Sequence, residues 1–289
     1  MFNENDRAWM MEAIALAKNG VYTTRENPRV GCVLVKNGEI IAKAWHEFPG
    51  GPHAEVNALA KAGEEAKDAT CYVSLSPCTH FGKTPPCYEA LKTAGIARII
   101  AATRDPNPLV DELENVEYDL CQDEAQALNP GFFMRMQQQR PFIRLKTGMS
   151  LDGRTAMENG QSQWITGTKA REYVQKIRAQ SCAILTGINT VLLDNPKLTV
   201  RDETILATPH FKQPVRVILD THLRMPLDAK LFDEKSEIWI YTAAQNNDKI
   251  KQLQDKGAKV FMIAQNKTHL DLHEVLKHLA EQKINEVLV

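Results

Sequence analysis

The chain has 289 residues, 43% hydrophobic and 25% charged, with a formal net charge of −1. This is the composition of an ordinary globular protein with room for about two domains. The near-neutral charge argues against a nucleic-acid partner, although a local basic patch would not change the total. No apolar run is long enough to cross a bilayer, and the acidic N-terminus lacks the basic region of a secretory signal. We therefore expect a cytoplasmic protein with no membrane partner.

Hydrophobic periodicity predicts an α/β arrangement in the N-terminal half. A helix is expected over residues 6–18, where apolar residues recur at helical spacing before Gly20. Asn37-Gly38 is a strong hairpin turn and predicts antiparallel strands on either side of it. The elements predicted after the first helix are strands 30–35 and 39–46, helix 53–67, strand 69–75, helix 88–93 and strand 96–103. Two successive strand–helix–strand units predict parallel pairing beside the hairpin.

A polar segment divides the chain. Residues 105–140 are rich in glutamine, with a helical middle over residues 123–128, and are interpreted as the connection between two domains, 1–140 and 141–289. After Pro141 the alternation begins again, with strands predicted at 142–146, 182–186, 215–220, 237–241, 258–263 and 284–289 and helices at 169–179, 248–256 and 269–282. This pattern is typical of a second α/β domain with a mainly parallel sheet.

The six cysteines fall into different contexts. In a cytoplasmic chain, burial or metal binding is a more common use of cysteine than disulfide formation. Cys32, Cys71 and Cys182 lie in apolar strand-like runs and are interpreted as small core residues. Cys121 lies in a polar stretch and receives no role. Cys78 and Cys87 remain, and each of them follows a proline.

The pattern that carries chemistry combines these two cysteines with His53 and Glu55. A catalytic zinc site needs three protein ligands and an open position for water, with a proton carrier beside it. Nucleobase deaminases hold zinc with one His and two Cys and use a Glu that does not bind the metal. The set therefore predicts hydrolytic deamination of an amino-substituted ring. Taken one by one, His53 could instead be a helix cap and each thiol a core residue.

Two further readings of the zinc set remain open. Action on nucleic acid, such as tRNA adenosine, is one, and the near-neutral charge argues against it. A structural zinc in a binding module is the other, and it needs a fourth protein ligand, for which His80 is the nearby candidate. Many zinc deaminases space their cysteines as C-x-x-C, whereas residues 79–86 intervene here. A spacer of this size is expected to carry substrate contacts.

The spacer gives a specific resemblance. Residues 77–87 read PCTHFGKTPPC, and together with Asn27-Pro28 and residues 105–108 (DPNP) they resemble the RibD family of bifunctional riboflavin biosynthesis proteins. The resemblance runs from about residue 6 to the C-terminus. It implies a cytidine-deaminase-like α/β/α domain followed by a dihydrofolate-reductase-like α/β domain. The implied reactions are deamination of 2,5-diamino-6-(5-phosphoribosylamino)pyrimidin-4-one and NADPH-dependent reduction of the ribosyl group of the product to a ribityl chain.

The resemblance assigns roles in the deaminase half. It places the zinc ligands on His53, Cys78 and Cys87 and the proton carrier on Glu55. The implied substrate contacts are Asn27, His80, Lys83 and Asn107. These residue types suit the task, because an amide can read a pyrimidine edge and a cationic side chain can hold a phosphate. Asn27 and Asn107 each precede a proline, however, and could be turn residues only.

The second domain has no G-x-G-x-x-G after a strand, so its residues alone indicate an α/β domain with a nucleotide site left open. Residues 146–156 and 162–166 resemble the reductase domain of the same family. The implied NADPH contacts are Gly148, Trp164, Thr190, Asp194 and Thr221, and the implied substrate contacts are Ser162, Arg178, Leu198 and Arg201. Guanidinium groups pair with phosphate in a fork, which suits a phosphorylated substrate. Without the family, Trp164 reads as a core aromatic and Arg178 as part of a solvated helix face.

Some features depart from the family or stay open. Lys146 and Asp152 are candidates for the general acid of the reductase by residue type alone. Family members continue beyond the strand at 284–289 with a Gly-rich acidic loop and are longer after Asn107, so an incomplete reductase site is expected. The alternative function is a deaminase of another base or of tRNA with a non-catalytic second domain. A homo-oligomer is expected, since linked activities often occur in assemblies.

Overall fold

A computed structural model describes residues 2–82, 84–111, 113–162 and 164–289. The chain divides into two compact units, Met1–Gln138 and Gln139–Val289. Among the described residues, no helix has the length and apolar character needed to cross a membrane.

The first unit is a five-stranded sheet with helices on both faces. Its elements in chain order are α1 (Glu4–Ala17), β1 (Gly31–Lys36), β2 (Glu39–Trp45), α2 (Ala54–Ala62), β3 (Thr70–Val73), α3 (Cys87–Thr93), β4 (Arg98–Ala101), β5 (Val116–Glu117), α4 (Gln122–Leu128) and α5 (Pro130–Gln138). The strand order is β2-β1-β3-β4-β5. β1 pairs antiparallel with β2 and β3, and the pairs β3–β4 and β4–β5 are parallel. This confirms the predicted combination of a hairpin with parallel strands.

Alternate strand residues face opposite helical layers. The face toward α2 and α3 carries Cys32, Leu34, Cys71, Val73, Ile99 and Ala101. The face toward α1 and α4 carries Val33, Val35, Tyr72 and Ile100. Strands buried on both sides need nearly continuous apolar sequence, which is what these strands have. Cys32 and Cys71 are fully buried, as predicted, and their Sγ atoms lie 3.5 Å apart.

The close packing of α1 on β1 depends on Gly31. A Cβ at this position would lie 2.0 Å from the carbonyl oxygen of Ala13 and 2.8 Å from the amide nitrogen of Ala17, both in α1. The backbone of Gly31 also joins β1 to the end of β3, because its N–H donates to Ser74 Oγ and its carbonyl accepts from Ser74 N–H, both at 3.0 Å. Any side chain at this position would separate layers that position the residues after β3.

A buried carboxylate anchors the start of α1. Asn3 and Asp6 form a reciprocal capping box, in which each side chain accepts a hydrogen bond from the backbone N–H of the other residue. These N–H groups have no partner within the helix. The Asp6 carboxylate is 2% exposed and also accepts from the Tyr72 hydroxyl at 2.6 Å and from Arg98 at 2.9 Å. Burial alone would raise the pKa of Asp6, but the hydrogen bonds from Tyr72 and Asn3 and the charge of Arg98 hold it below its usual value.

Two parts of this unit differ in detail from the sequence interpretation. The helical stretch predicted over 53–67 is confirmed, but it consists of the α-helix that ends at Ala62 and a 3-10 helix over Gly63–Ala66, since Gly63 has φ +56°. The stretch 105–140 is more than a connection. β5 adds a strand to the sheet, and Leu120 and Ala125 are buried in the core beside α1.

The second unit is built on a parallel sheet. Its elements are β6 (Phe142–Arg144), α6 (Thr168–Gln180), β7 (Ala183–Gly187), α7 (Ile188–Asp194), α8 (Glu203–Leu206), β8 (Val215–Leu219), β9 (Ile238–Thr242), α9 (Asn247–Asp255), β10 (Ala258–Met262), β11 (Gln265–Asn266), β12 (His269–Leu270), α10 (Leu272–Glu281) and β13 (Glu286–Leu288). The sheet order is β10-β9-β8-β7-β13-β6, and each neighbouring pair is parallel. Apolar clusters lie on both faces, one including α10 and the other α7 and α9.

The last helix begins later than predicted. The sequence places it from residue 269, whereas α10 begins at Leu272. Asp271 caps it by accepting from the amides of His273 and Glu274, and the residues before it form the small β11–β12 hairpin. α7 and α8 are short and were not predicted.

Candidate functional site

The first site lies where α2 begins. His53 is the N-cap residue of α2, with extended backbone (φ −73°, ψ 166°), and Glu55 lies in the first turn. The Glu55 side chain is only 3% exposed. A carboxylate in the first helical turn is favoured by the helix dipole, but burial of its charge is costly unless a partner or a function compensates.

The two cysteines come from the chain that follows β3. Cys78 lies in the irregular segment after the strand, and Cys87 is the first residue of α3. Cys78 Sγ accepts from the amide of Cys87 at 3.3 Å, and the Cys78 carbonyl accepts from the amide of Tyr88 at 3.2 Å. The N-terminus of α3 therefore points at Cys78, which favours its thiolate.

The three side chains converge on one point. His53 Nδ1 lies 3.0 Å from Cys87 Sγ and 3.6 Å from Cys78 Sγ, and the three ligating atoms lie within 4.8 Å of one another. Zinc–sulfur bonds of about 2.3 Å and zinc–nitrogen bonds of about 2.0 Å would set tetrahedral ligands roughly 3.5–3.8 Å apart. The donor set fits zinc, and the separations of 3.0 Å and 3.6 Å lie close to this range. His80 is not a member of this cluster in the described part of the chain, so the structural-zinc interpretation lacks its fourth ligand.

Electrostatics agree with a cation site. Hydrogen bonds from Cys87 and His53 lower the pKa of the Cys78 thiol to about 4, against the opposing effect of burial. Hydrogen bonding to Cys78 raises the pKa of the Cys87 thiol. The same Cys78 contact raises the pKa of His53. The cluster thus concentrates negative charge on sulfur, which a soft divalent cation would neutralise.

The Glu55 carboxyl group has two properties that proton transfer requires. Burial raises its pKa to about 7, an effect that His53 partly offsets. Its Oε2 atom is buried and has no hydrogen-bond partner among the described residues. A carboxyl group whose pKa lies near neutrality can both accept and donate a proton, and an unpartnered oxygen is free to do so.

The predicted substrate residues of this unit differ in placement. Asn27 Nδ2 lies 2.9 Å from His46 Nε2. His80 Nδ1 is buried and has no partner in the described ranges. Asn107 Oδ1 accepts from the amide of Leu109 at 3.1 Å, so this side chain already serves a turn. Lys83 lies outside the described residues.

Asp105 was missed by sequence reasoning, although it lies in the DPNP segment. It follows β4 and accepts from the amide of Asn107 at 2.8 Å. Burial raises its pKa to about 6, and the charges of His80 and His53 act in the opposite direction. The shift places a second titratable carboxyl group in the electrostatic surroundings of the His53 and Cys78 side chains.

In the second unit, several predicted cofactor residues lie at one edge of the sheet. Gly148 follows β6, Thr190 and Asp194 lie on α7 after β7, and Thr221 follows β8. These strands are parallel, so their carboxyl ends share an edge, where open α/β sheets bind ligands. The Thr242 hydroxyl donates a hydrogen bond to the Thr221 carbonyl at 3.2 Å.

The predicted substrate residues Arg178, Leu198 and Arg201 lie close together. Arg178 in α6 donates to the Thr199 carbonyl at 3.0 Å, and Gln175 Oε1 accepts from the Arg201 amide at 2.8 Å. Burial and the nearby charge of Arg201 lower the pKa of Arg178. Two guanidinium groups in this proximity favour an anionic ligand between them. Arg178 is thus not part of a solvated helix face.

A fully buried arginine contacts the backbone just before Leu198. Arg216 in β8 is 0% exposed and donates to the carbonyls of Lys197, Leu231, Glu234 and Ser236. Burial lowers its pKa to about 10. Sequence reasoning missed it, because an arginine within an apolar strand gives no sign of which carbonyls it will reach.

Ser162 and Trp164 lie in the exposed loop before α6. Trp164 is 69% exposed and stacks against Arg171, with 4.5 Å between the guanidinium carbon and the ring centre. It is therefore not a core aromatic. Lys146 and Asp152 are also exposed, and Asp152 accepts from the Ser150 hydroxyl at 2.5 Å. No contact in the described residues brings Lys146 and Asp152 together.

Comparison with known proteins identifies the family of each unit. The family model for the cytidine and deoxycytidylate deaminase zinc-binding region matches residues 3–103, and the model for the RibD C-terminal domain matches residues 141–289. The riboflavin biosynthesis protein RibD of Escherichia coli strain K12 is 42% identical over 300 residues, covering 98% of this chain and 81% of that protein. The chain belongs to the RibD family.

Solved RibD-family structures have the same fold. Acinetobacter baumannii RibD (form 1) aligns with a TM-score of 0.90 at 42% identity, covering 99% of this chain and 80% of that chain. The Thermotoga maritima diaminohydroxyphosphoribosylaminopyrimidine deaminase/5-amino-6-(5-phosphoribosylamino)uracil reductase aligns with a TM-score of 0.84 at 34% identity, covering 99% and 80%. The expected fold class, a deaminase domain plus a RibD reductase domain with mixed α/β sheets, is confirmed.

Membership in the RibD family also bears on the alternatives. A non-catalytic second domain is not favoured, because the RibD C-terminal domain model spans residues 141–289. The zinc-binding deaminase region likewise includes His53, Cys78 and Cys87.

Proposed function

We propose that this RibD-family chain deaminates 2,5-diamino-6-(5-phosphoribosylamino)pyrimidin-4-one and reduces the ribosyl group of the product with NADPH. As a member of its family, the chain is a bifunctional deaminase and reductase of riboflavin biosynthesis. The observation that best supports the deaminase half is the His53, Cys78 and Cys87 cluster with the buried Glu55 beside it. We propose residues 1–140 for the deaminase and 141–289 for the reductase.

In the deaminase, we propose that His53, Cys78 and Cys87 hold zinc. A bound zinc ion would supply Lewis-acid activation of the attacking water. Glu55 would take one proton of that water and pass it to the ring nitrogen, and would then carry the second proton from the added hydroxyl to the amine, which departs as ammonia and leaves the carbonyl. Its pKa of about 7 suits both transfers. Asn27 and His80 are proposed to contact the substrate, with Asn107 and Lys83 completing the set.

In the reductase, bound NADPH would supply a hydride to C1 of the ring-opened ribose. Gly148, Trp164, Thr190, Asp194 and Thr221 are proposed to bind the cofactor. Arg178 and Arg201 are proposed to hold the phosphate of the substrate, with Leu198 and Ser162 beside it. The support is the proximity of the two guanidinium groups and the shared sheet edge.

We also propose a homo-oligomer. Leu145 and Leu151 are 72% and 108% exposed in the isolated chain, and exposed apolar side chains of this kind are common at subunit contacts. Light scattering on the purified protein would measure the molar mass.

The function is tested by product analysis. The purified chain is incubated with the phosphoribosyl diaminopyrimidinone, with and without NADPH, and the products are identified by mass spectrometry. We expect the aminouracil without NADPH and its ribityl derivative with NADPH. An unchanged substrate would refute the deaminase assignment, and an aminouracil that never consumes NADPH would refute the reductase assignment.

A further inference from the structure

His46 is a buried histidine that no motif identifies. It follows β2 and is only 2% exposed. Its backbone amide donates to the Val30 carbonyl at 2.9 Å, which fixes its position beside the start of β1. The ring packs edge-on against that of His53, with 5.2 Å between centres and 82° between planes. His46 thus lies directly behind one of the proposed zinc ligands.

Two contacts determine which ring nitrogen carries the hydrogen. His46 Nδ1 lies 3.0 Å from the carbonyl oxygen of Pro52. A carbonyl can only accept, so Nδ1 must be the N–H donor. A neutral imidazole has one donor and one acceptor nitrogen, so Nε2 is then the acceptor. The acceptor Nε2 lies 2.9 Å from Nδ2 of Asn27.

The orientation of the Asn27 amide follows from this. Its NH2 group faces the ring, so its Oδ1 atom points the other way. Within the described ranges, no protein group donates to Asn27 Oδ1. The Asn27 backbone N–H donates to the Thr24 carbonyl at 2.9 Å. The side chain therefore offers a hydrogen-bond acceptor, and an amide free to flip would offer either group.

We propose that His46 is a positioning residue that fixes the Asn27 amide with its oxygen toward the deaminase substrate, and so selects a substrate with an N–H or O–H donor at that point. The inference rests on the proposed function, because it takes Asn27 to be a substrate contact. His46 acts through Asn27 and is not itself given a chemical role.

The test is a double-mutant cycle. Deamination kinetics and zinc content are measured for His46→Ala, Asn27→Ala and the double variant, with the exposed His273→Ala as the control. Loss of one hydrogen bond of about 1.4 kcal/mol corresponds to a KM increase of about tenfold. We expect each single variant to raise KM by about this factor with little change in kcat. The KM of the double variant should be no higher than that of Asn27→Ala alone, because His46 acts only through the Asn27 side chain.

A conservative variant guards against a folding defect. Gln at position 46 keeps one donor and one acceptor, so His46→Gln should restore part of the KM if the orientation of Asn27 is what matters. Additive effects in the cycle would overturn the proposal, and so would a loss of zinc that accounts for the loss of activity in His46→Ala. An unchanged KM in Asn27→Ala would overturn it as well, while turnover by the wild-type chain would leave the proposed function intact.

Discussion

Gly31→Ala is expected to destabilise the first unit more than any other glycine-to-alanine change along β1 and β2. The new methyl carbon would lie 2.0 Å from the Ala13 carbonyl oxygen, and both this atom and the nearby Ala17 nitrogen belong to the backbone of α1. An ordinary carbon–oxygen contact is about 3.4 Å or more, so α1 and β1 must separate by more than about 1 Å. Overpacking of a core costs about 1–3 kcal/mol when side chains can adjust. Because backbone must move here, we expect about 3 kcal/mol or more.

The matched control is Gly38→Ala in the turn after the same strand. A Cβ there has nothing within 4 Å, but the residue has φ +81°. Its cost should be the left-handed strain alone, about 1–2 kcal/mol. Hydrogen exchange read by mass spectrometry on peptides from α1, β1 and β3 reports the opening free energy of this unit separately from the second. A Gly31→Ala loss no larger than that of Gly38→Ala would refute the close-packing argument.

Further predictions concern charge, metal and substrate. The pKa of Asp6 is lowered in the folded chain, so its contribution to folding stability is present above the unfolded value of 3.8 and is lost as pH falls through the lower folded value. Asp6→Asn should therefore lower the free energy of unfolding by about 1.5–3 kcal/mol at neutral pH and weaken the loss of stability in acid, as measured by hydrogen exchange. A variant that keeps the acid dependence of the wild type would contradict this. Removal of zinc by a chelator should abolish deamination but leave NADPH-dependent reduction of the aminouracil unchanged, because the two sites lie in separate units; parallel loss of both activities would count against it. Arg178→Met should raise KM for the phosphorylated reductase substrate by roughly 10-fold to 100-fold, because a hydrogen bond to a charged group contributes about 1.5–3 kcal/mol. Arg178→Lys keeps the positive charge but not the two-pronged guanidinium geometry, so its KM should lie between those of the wild type and Arg178→Met. An unchanged KM in Arg178→Met would remove this residue from the phosphate site.

The sequence predicted features whose cause is local. Asn37 and Gly38 both adopt positive φ, 53° and 81°, as their turn type requires. His53, Cys78 and Cys87 could be grouped because their chemistry is recognisable and each lies at the end of a predicted element. Strand-like apolar runs around Cys32 and Cys71 correctly predicted a core buried on both faces.

Features set by tertiary contacts were not predictable in this way. β5 has two residues, Val116–Glu117, and is a strand only because β4 lies beside it. Periodicity cannot detect so short an element. His46 and Arg216 likewise have meaning only through their partners, a side-chain amide in one case and backbone carbonyls in the other. A histidine after a strand has no pattern that reveals an orienting role.

Whether Glu55 moves protons in the deamination is decided by the activity of Glu55→Gln in the full chain. This change keeps the size of the side chain and removes its ability to exchange a proton, and general acid–base catalysis contributes about 10²- to 10⁴-fold. We expect deamination to fall by that factor while zinc content, NADPH consumption on the aminouracil and the folding of the first unit stay as in the wild type. Undiminished deamination with zinc still bound would show that Glu55 does not move the protons beside a His53, Cys78 and Cys87 zinc site.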